Sequence, residues 1–225
     1  MSSDTTIVWL RNDLRLEDNP ALYYANEFAK RNNSKISIVY IYENFNSLST
    51  DLGSASKWWL HNSLKKFNES FSKNLIKKYD FDINLFKGNP DKIFSDLMKQ
   101  IKINGIFWNR RYESKCVERD TQIKSKFKAL NINVQTYNGK VLIEPWNIKG
   151  KQNQSLKVFT PYKNSLLANH LIPEPLPIPK IKYHFKISSS LKLNELNLVS
   201  NNWMKKFDGI WDVGEKAASI KLEKF

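Results

Sequence analysis

The stretch TTIVWLRNDLRLEDNPAL, Thr5–Leu22, decides how this 225-residue chain folds. It begins with an unbroken apolar run, Ile7–Leu10, which is typical of a strand covered on both faces, as in a parallel sheet. A charged and amide-rich segment follows, 11–15. Asp18-Asn19-Pro20 then predicts a helix start, because Asp or Asn can cap free backbone N–H groups and proline fits the first helical position. The stretch is therefore strand, polar loop and helix, and in open α/β sheets such loops lie where ligands bind.

The same alternation of strand and helix patterns continues to residue 137. Further strand patterns cover 36–42, 83–86, 105–108 and 132–137, and helix patterns cover 21–31 and begin near 53, 90 and 114, the last with Ser114 as a candidate cap. The clearest helical period is in the second helix, whose predicted inward face consists of Leu60, Leu64, Phe67 and Phe71. The order βαβαβαβαβ predicts an α/β fold, a doubly wound five-stranded parallel sheet of order 3-2-1-4-5 with helices on both faces.

Beyond residue 137 the patterns weaken. A short helix is predicted at 161–169, a proline-rich extended linker at 173–179 and a final helix at 214–225. We therefore expect an α/β domain at 1–137, a connecting region at 138–212 and the start of another unit at 213–225. The final helix, with Ala218, Leu222 and Phe225 on one face, either docks back on the sheet or packs on a partner beyond the chain; the long linker favours the partner.

Composition limits the class of protein. Lys and Arg number 36 against 22 Asp and Glu, a net charge of +14, which favours polyanionic partners such as nucleic acid, although the lysines are spread along the chain as on a solvated surface. Cys116 is the single cysteine, so no disulfide within the chain is possible. Neither a secretory signal nor an apolar run near the roughly 20 residues of a membrane helix occurs. We expect a soluble cytoplasmic protein with no membrane contact.

Several kinds of chemistry lack their motifs. Neither G-x-G-x-x-G nor G-x-x-x-x-G-K-[ST] is present, which argues against dinucleotide oxidoreductases and P-loop NTPases. No serine lies in a G-x-S-x-G turn, and His61, His170 and His184 have no metal-ligand spacing. We predict no catalytic residue and no metal site.

Two charged loops follow the first and fourth predicted strands, at 11–15 and 109–113. In the 3-2-1-4-5 order these strands are neighbours, so both loops would line one crevice. Their arginines could hold a planar anionic ligand through bidentate contacts and stacking, or could form an internal network with the carboxylates that braces the loops. The candidate binding residues are Arg11, Asn12, Asp13, Tyr42, Glu43, Asn109, Arg110, Arg111, Tyr112 and Glu113.

Five segments, in order, resemble the DNA photolyase/cryptochrome family. VWLRNDLRLEDNPAL at 8–22 resembles the family's N-terminal signature, W-F-R-x-D-L-R-L-x-D-N. The other four are GSASKWWLHNSL at 53–64, WNRRYE at 108–113, KVFTPYKN at 157–164 and WDVGEKAASIKLEKF at 211–225. The resemblance covers nearly the whole chain.

The resemblance implies the antenna domain of a deoxyribodipyrimidine photolyase-like protein for light-driven repair of pyrimidine dimers. Such a domain binds a light-harvesting folate, deazaflavin or flavin, and its partner is a helical domain that binds FAD and damaged DNA. By this resemblance 213–225 begins a truncated FAD-binding domain, and this chain alone is inactive in repair. Alternatives are half of a cryptochrome blue-light photoreceptor, or a nucleotide-binding or interaction module that has lost its pigment. Lys115 and Cys116 replace an Asn-Glu pair of the folate-type members, which weighs against the common folate site.

Overall fold

The computed structural model describes residues 4–43, 52–73, 82–150, 152–199 and 202–225. Its strands are β1 (Thr5–Leu10), β2 (Lys35–Tyr42), β3 (Asn84–Lys87), β4 (Ile103–Asn109) and β5 (Asn133–Tyr137). Its α-helices are α1 (Pro20–Arg31), α2 (Ser54–Ser72), α3 (Pro90–Gln100), α4 (Ser114–Ala129), α5 (Phe159–Asn169) and α6 (Glu215–Glu223). Short 3-10 helices cover Pro145–Asn147, Leu193–Leu196 and Asn202–Phe207.

The five strands form one parallel sheet in the order β3-β2-β1-β4-β5, which confirms the predicted topology. Strand β1 is central, and all six of its residues are buried, as its apolar run predicts. It pairs with β2 on one side, with Ile7 opposite Ser37, and with β4 on the other, with Val8 opposite Phe107. The loops after β1 and β4 therefore leave the same edge of the sheet side by side.

Helices cover both faces of the sheet. On one face Val8 packs with Leu22 of α1 and Phe71 of α2. On the other face Trp9 packs in a cluster with Phe94 of α3 and Phe127 of α4. Successive residues of β1 thus serve opposite clusters, as the two-residue repeat of a strand requires. The predicted stripe of α2 is confirmed, with Leu64, Phe67 and Phe71 buried and Leu60 packed at the margin of the same cluster.

The helix starts were predicted with mixed success. Asn19 caps α1, since its side-chain oxygen accepts the N–H of Leu22 at 3.2 Å, and Pro20 is the first helical residue, as predicted. Ser114 was predicted as the cap of α4, and this is wrong: Ser114 is already helical and Glu113 occupies the capping position without a side-chain hydrogen bond. The Glu113 carboxylate accepts hydrogen bonds from Arg111 and Lys140 and makes none to the N–H groups of the helix.

The connecting region packs on the sheet domain. Ile181, Leu196 and Leu198 are buried in the cluster of α1 and α2, and Ile187 is buried in the opposite cluster. The N–H of Leu191 also donates to the main-chain oxygen of Leu85 in β3, at 2.8 Å. These apolar residues show no local period, so the sequence indicated only irregular chain. The boundaries at 137 and 212 stay predictions.

Helix α6 is hydrogen-bonded to the sheet domain through its first turn. Glu215 bonds to the loop after β1, whereas Ala218, Leu222 and Phe225 on the predicted apolar face are exposed. Among the helices of the described ranges, none has the length and apolar character needed to cross a membrane.

Candidate functional site

Two crevices open at the carboxyl edge of the sheet, one on each side of the loop after β1 (residues 11–18, hereafter the β1 loop). The first crevice has a volume of about 570 Å³ and lies between the β1 loop, the loop after β4, residues 138–142 and the linker at 173–176. The second has a volume of about 840 Å³ and lies between the β1 loop, α2 and α6. The β1 loop is therefore the wall that the two crevices share.

Arg11 is a buried brace at the base of this wall. Its guanidinium donates to the carboxylate of Asp120 and to the main-chain oxygen of Asn109, and its central carbon lies 4.8 Å from the centroid of the Trp9 ring. Burial lowers the pKa of Arg11, and the nearby Asp120 carboxylate opposes that effect. Arg11 thus holds strand β4 and helix α4 in place, the internal-network role that the sequence left open.

Asn109 joins the two loops. Its amide nitrogen donates to the Asp13 carboxylate at 2.6 Å and to the side-chain oxygen of Asn19 at 2.9 Å, and its oxygen accepts the N–H of Ala21 at 3.1 Å. Asp13 also accepts the N–H of Arg11 at 2.7 Å. The end of β4 is thereby tied to the β1 loop and to the first turn of α1.

Two further predicted residues lie away from the lining of the crevices. Glu43 pairs with Arg119, which also bonds to Asp120 at 2.6 Å and lies 5.1 Å from the Trp9 ring. Burial raises the pKa of Glu43, against the effect of Arg119. Tyr42 is buried at the end of β2. In the described part of the chain, Tyr42 and Glu43 lie behind the crevices and line neither of them.

The loop after β4 carries cations into the first crevice. Arg110 is neutralised by Glu144, at 2.6 Å, and also donates to the main-chain oxygen of Thr136. Arg111 and Lys140, by contrast, share the single carboxylate of Glu113, each at 3.2 Å. The hydrogen bond from Arg111 is the main reason that the pKa of Glu113 falls to about 2. The single charge of the Glu113 carboxylate therefore balances only one of these two cations.

Tyr112 closes the same loop against the segment that follows β5. Its hydroxyl donates to the side-chain oxygen of Asn138 at 3.3 Å, and its ring lies 5.9 Å from that of Trp146. Burial, with the negative charge of Glu144 nearby, raises the pKa of Tyr112 to about 12. Tyr112 therefore supports the wall of the first crevice.

Arg15 lines both crevices, although it is absent from the candidate binding residues predicted from the sequence. Its guanidinium donates to the main-chain oxygens of Asp18, at 2.7 Å, and Gly139, at 3.0 Å, whereas the nearest carboxylate oxygen, also of Asp18, is 3.8 Å away. Carbonyl oxygens satisfy its N–H groups without cancelling its charge. Arg15 therefore adds to the positive potential of both crevices.

Tyr24 supplies a flat apolar wall. It lines the first crevice, is 41% exposed and stacks on Tyr137 with the ring centroids 4.8 Å apart. The period of α1 gave no reason to single out an exposed tyrosine, so sequence reasoning missed it. The linker wall was missed for a different reason, since contacts between residues 158 apart leave no local signal.

Some of the candidate binding residues line a crevice and others do not. Among the candidate binding residues, those that line the first crevice are Arg11, Asn12, Asp13, Asn109, Arg110 and Arg111. Those outside the lining of either crevice are Tyr42, Glu43, Tyr112 and Glu113. Within the described ranges there is no group of three or more His, Cys, Asp or Glu placed to hold a metal ion.

Comparison with known proteins finds one family. The family model described as DNA photolyase matches residues 6–180. A deoxyribodipyrimidine photo-lyase from Agrobacterium fabrum is 32% identical over 222 residues, which cover 97% of this chain and 44% of that protein. Cryptochrome-2 from Arabidopsis thaliana is 31% identical over 177 residues, 77% of this chain and 27% of that protein.

Two solved structures also resemble this chain. A bacterial class III photolyase from Agrobacterium tumefaciens superposes with a TM-score of 0.83 at 30% identity, over 99% of this chain and 44% of that one. A Synechocystis cryptochrome, with a TM-score of 0.74 at 20% identity over 89% of this chain and 41% of its own, shares the fold. The chain spans less than half the length of these relatives.

Proposed function

This chain belongs to the DNA photolyase family, and we propose that it is a light-harvesting antenna domain that binds a chromophore in the first crevice. The chromophore would be a folate, a deazaflavin or a flavin. When bound, such a group absorbs near-UV or blue light and passes the excitation to reduced FAD. Light-driven repair of pyrimidine dimers would in addition require the helical FAD- and DNA-binding domain as partner.

The observation that supports this most is the position of the first crevice. It lies at the carboxyl edge of the sheet beside the neighbouring strands β1 and β4, where doubly wound folds bind their ligands. Its volume, about 570 Å³, is within the range of small-molecule pockets, which is roughly 300–1,000 Å³. Its framework is fixed by the bonds of Arg11 and Asn109, so a ligand would meet a largely pre-formed site.

The lining favours a planar ligand that carries an anionic group. Tyr24 offers an exposed ring face for stacking. Arg15, Arg111 and Lys140 supply positive charge. The carboxylates that oppose it are Glu113, which pairs with both Arg111 and Lys140, and Asp13, Asp18 and Glu174 in the lining. A flavin phosphate or a folate carboxylate would bind these cations through charge-assisted hydrogen bonds.

A cryptochrome-type photoreceptor domain is the second candidate. The 31% identity to Cryptochrome-2 favours it, and it would use the same crevice. Repair of a thymine dimer under blue light, when this chain is combined with an FAD-binding domain, separates the two candidates. Repair supports the photolyase assignment, and light-dependent flavin reduction without repair supports the cryptochrome.

The binding test removes the charge of Glu113, which competes with an anionic ligand for Arg111 and Lys140. We expect the chain to bind riboflavin 5′-phosphate at micromolar concentration, followed by flavin fluorescence anisotropy. Glu113→Gln should tighten binding of the phosphate about threefold to tenfold, because it frees Arg111 and Lys140, and should leave plain riboflavin unaffected.

Glu118→Gln is the matched control, since it removes the same charge from an exposed position on α4. A gain of affinity cannot arise from misfolding. Equal affinities in the Glu113 and Glu118 variants would contradict the anionic subsite. Failure of riboflavin 5′-phosphate, riboflavin and a methenyl-folate to bind at millimolar concentration would contradict the antenna assignment.

A further inference from the structure

We propose that Glu215 is a positioning residue that couples helix α6 to the β1 loop, so that a ligand in the crevices and the placement of α6 influence each other. The ligand half of this inference rests on the proposed antenna function. The structural half rests on contacts of Glu215 alone.

The carboxylate of Glu215 makes two hydrogen bonds to the β1 loop. Oε2 accepts the N–H of Leu16 at 2.9 Å, and Oε1 accepts the N–H of Glu17 at 2.8 Å. Both oxygens are thus used on two consecutive backbone groups, and hydrogen bonds to an ionised acceptor are about twice as strong as neutral ones. The loop that receives them is the wall common to both crevices.

Gly214 explains how Glu215 reaches this loop. Its φ is +104°, a conformation that favours glycine, and a Cβ at this position would lie 2.9 Å from the Cβ of Lys66 in α2. The absent side chain lets the main chain pass close to α2 and turn. Helix α6 then begins with Glu215 facing the β1 loop.

The remainder of α6 is held more weakly. Ala218, Ser219 and Leu222 line the second crevice and are exposed, and no α6 residue of the described chain is fully buried. The Glu215 bonds are therefore the main polar link between α6 and the β1 loop. A ligand that orders the β1 loop should therefore also order α6. Because coupling between two sites is reciprocal, displacement of α6 should lower the affinity of the protein for the ligand.

Amide hydrogen exchange on the full chain tests the link. Glu215→Gln keeps the size of the side chain and has one oxygen acceptor in place of two. Without ligand, we expect at least one of the amides of Leu16 and Glu17, the one that loses its acceptor, to exchange at least tenfold faster in this variant. Glu223→Gln, at an exposed position on the same helix, is the matched control and should exchange like the wild type.

The coupling is tested with riboflavin 5′-phosphate as the probe. In the wild type the flavin should slow exchange of residues 218–222, and Glu215→Gln should abolish that protection while protection of Tyr24 remains. Affinity for the flavin should fall about threefold to tenfold. If Glu215 only stabilised the fold, its substitution would not specifically abolish the slower amide exchange that flavin binding causes in α6.

The outcomes separate the two halves. Exchange at Leu16 and Glu17 that is the same in both variants would overturn the link, and α6 protection that survives Glu215→Gln would overturn the coupling. A wild type that binds none of the chromophores contradicts the proposed function and the ligand half together, while the rates without ligand still decide the link.

Discussion

At the scale of single residues, Asn109 is the side chain on which the crevice depends most. It donates to a carboxylate and an amide oxygen and accepts a backbone N–H, a combination that only an amide side chain can supply in this geometry. Space is matched to it, because a Cβ at Gly139 would overlap the Asn109 side chain. A buried polar group without its partner costs more than the bond itself contributes.

Asn109→Ala should therefore lower the free energy of unfolding by about 3 kcal/mol, since Asp13, Asn19 and Ala21 each lose a buried partner. Urea unfolding followed by tryptophan fluorescence measures this. Asn12→Ala, an exposed amide on the same loop, is the control and should change stability by less than about 0.5 kcal/mol. Equal unfolding midpoints for the two variants would contradict the role of Asn109.

The sequence predicted that arginines lie at the carboxyl edge of the sheet, but it did not predict the separate role of each one. Arg11 and Arg111 look alike in sequence, as arginines in the loops that follow buried strands. Arg11 is bonded to Asp120, 109 positions away, and Arg111 to its near neighbour Glu113. Which arginine braces and which faces a ligand depends on partners that only the folded chain brings together.

At the scale of elements, the contact of α1 with β4 is set by a glycine. A Cβ at Gly105 in β4 would lie 2.8 Å from the Phe28 ring of α1 and 3.0 Å from the Phe107 ring. These rings pack with their centroids 5.3 Å apart. The close approach of helix to strand therefore leaves no room for a methyl group.

Gly105→Ala should destabilise the protein by about 1–3 kcal/mol through overpacking. Phe28→Leu in the same chain should recover part of the loss, because it removes the ring that the methyl group meets. Gly53→Ala is the control, since a Cβ there has no neighbour within 4 Å. A neutral Gly105 variant in urea unfolding would show that the rings shift at no cost.

Elements with strong local signals were the ones that sequence could predict. The apolar run of β1 and the period of α2 are properties of short stretches, and they led to the correct topology. The predicted cap of α4 was wrong by one residue, because Glu113 holds the capping position and Ser114 is already helical. Ile181 and Leu198 are buried, although they belong to no periodic apolar pattern that would have predicted it.

At the scale of the whole molecule, the proline-rich linker is fastened across the crevice edge by reciprocal hydrogen bonds. The N–H of Asp18 donates to the main-chain oxygen of Leu176 at 2.8 Å, and the Asp18 carboxylate accepts the N–H of Leu176 at 3.2 Å. Asp18 has a φ of 47°, which Asn and Gly also tolerate. The backbone and the side chain of Asp18 can thus be tested separately.

Asp18→Gly should make the linker several-fold more sensitive to limited proteolysis around residues 173–179, because the side-chain acceptor is lost while the backbone conformation stays accessible. Asp18→Asn retains an acceptor oxygen and should resemble the wild type. Fragment mapping by mass spectrometry measures the cleavage rates. Equal rates in the Gly and Asn variants would contradict a clasp through the carboxylate.

Lys186 links the connecting region to the start of β3 and makes stability depend on pH. Its ammonium donates to the main-chain oxygen of Ile83 at 2.6 Å, and burial lowers its pKa from 10.5 to about 8. The unfolded chain holds the proton more tightly, so between about pH 8 and 10.5 unfolding takes up protons and stability rises with pH.

Lys186→Met should remove this rise. Relative to the variant, the wild type should gain about 1 kcal/mol between pH 8 and 10.5, a figure reduced for solvent screening of a partly exposed group. Urea unfolding of both proteins across this range is the measurement, and the difference between them cancels other lysines and tyrosines. Parallel pH profiles would contradict the shift.

The connecting region has a final consequence for how this protein behaves in concentrated solution. Leu85 of the outermost strand β3 already donates to Ser190 and accepts from Leu191, so its main chain offers no hydrogen bonds to a strand of a neighbouring molecule. Bare sheet edges promote strand-to-strand aggregation. A version shortened to residues 1–137 would uncover this edge, and we expect it to precipitate where the full chain stays dispersed.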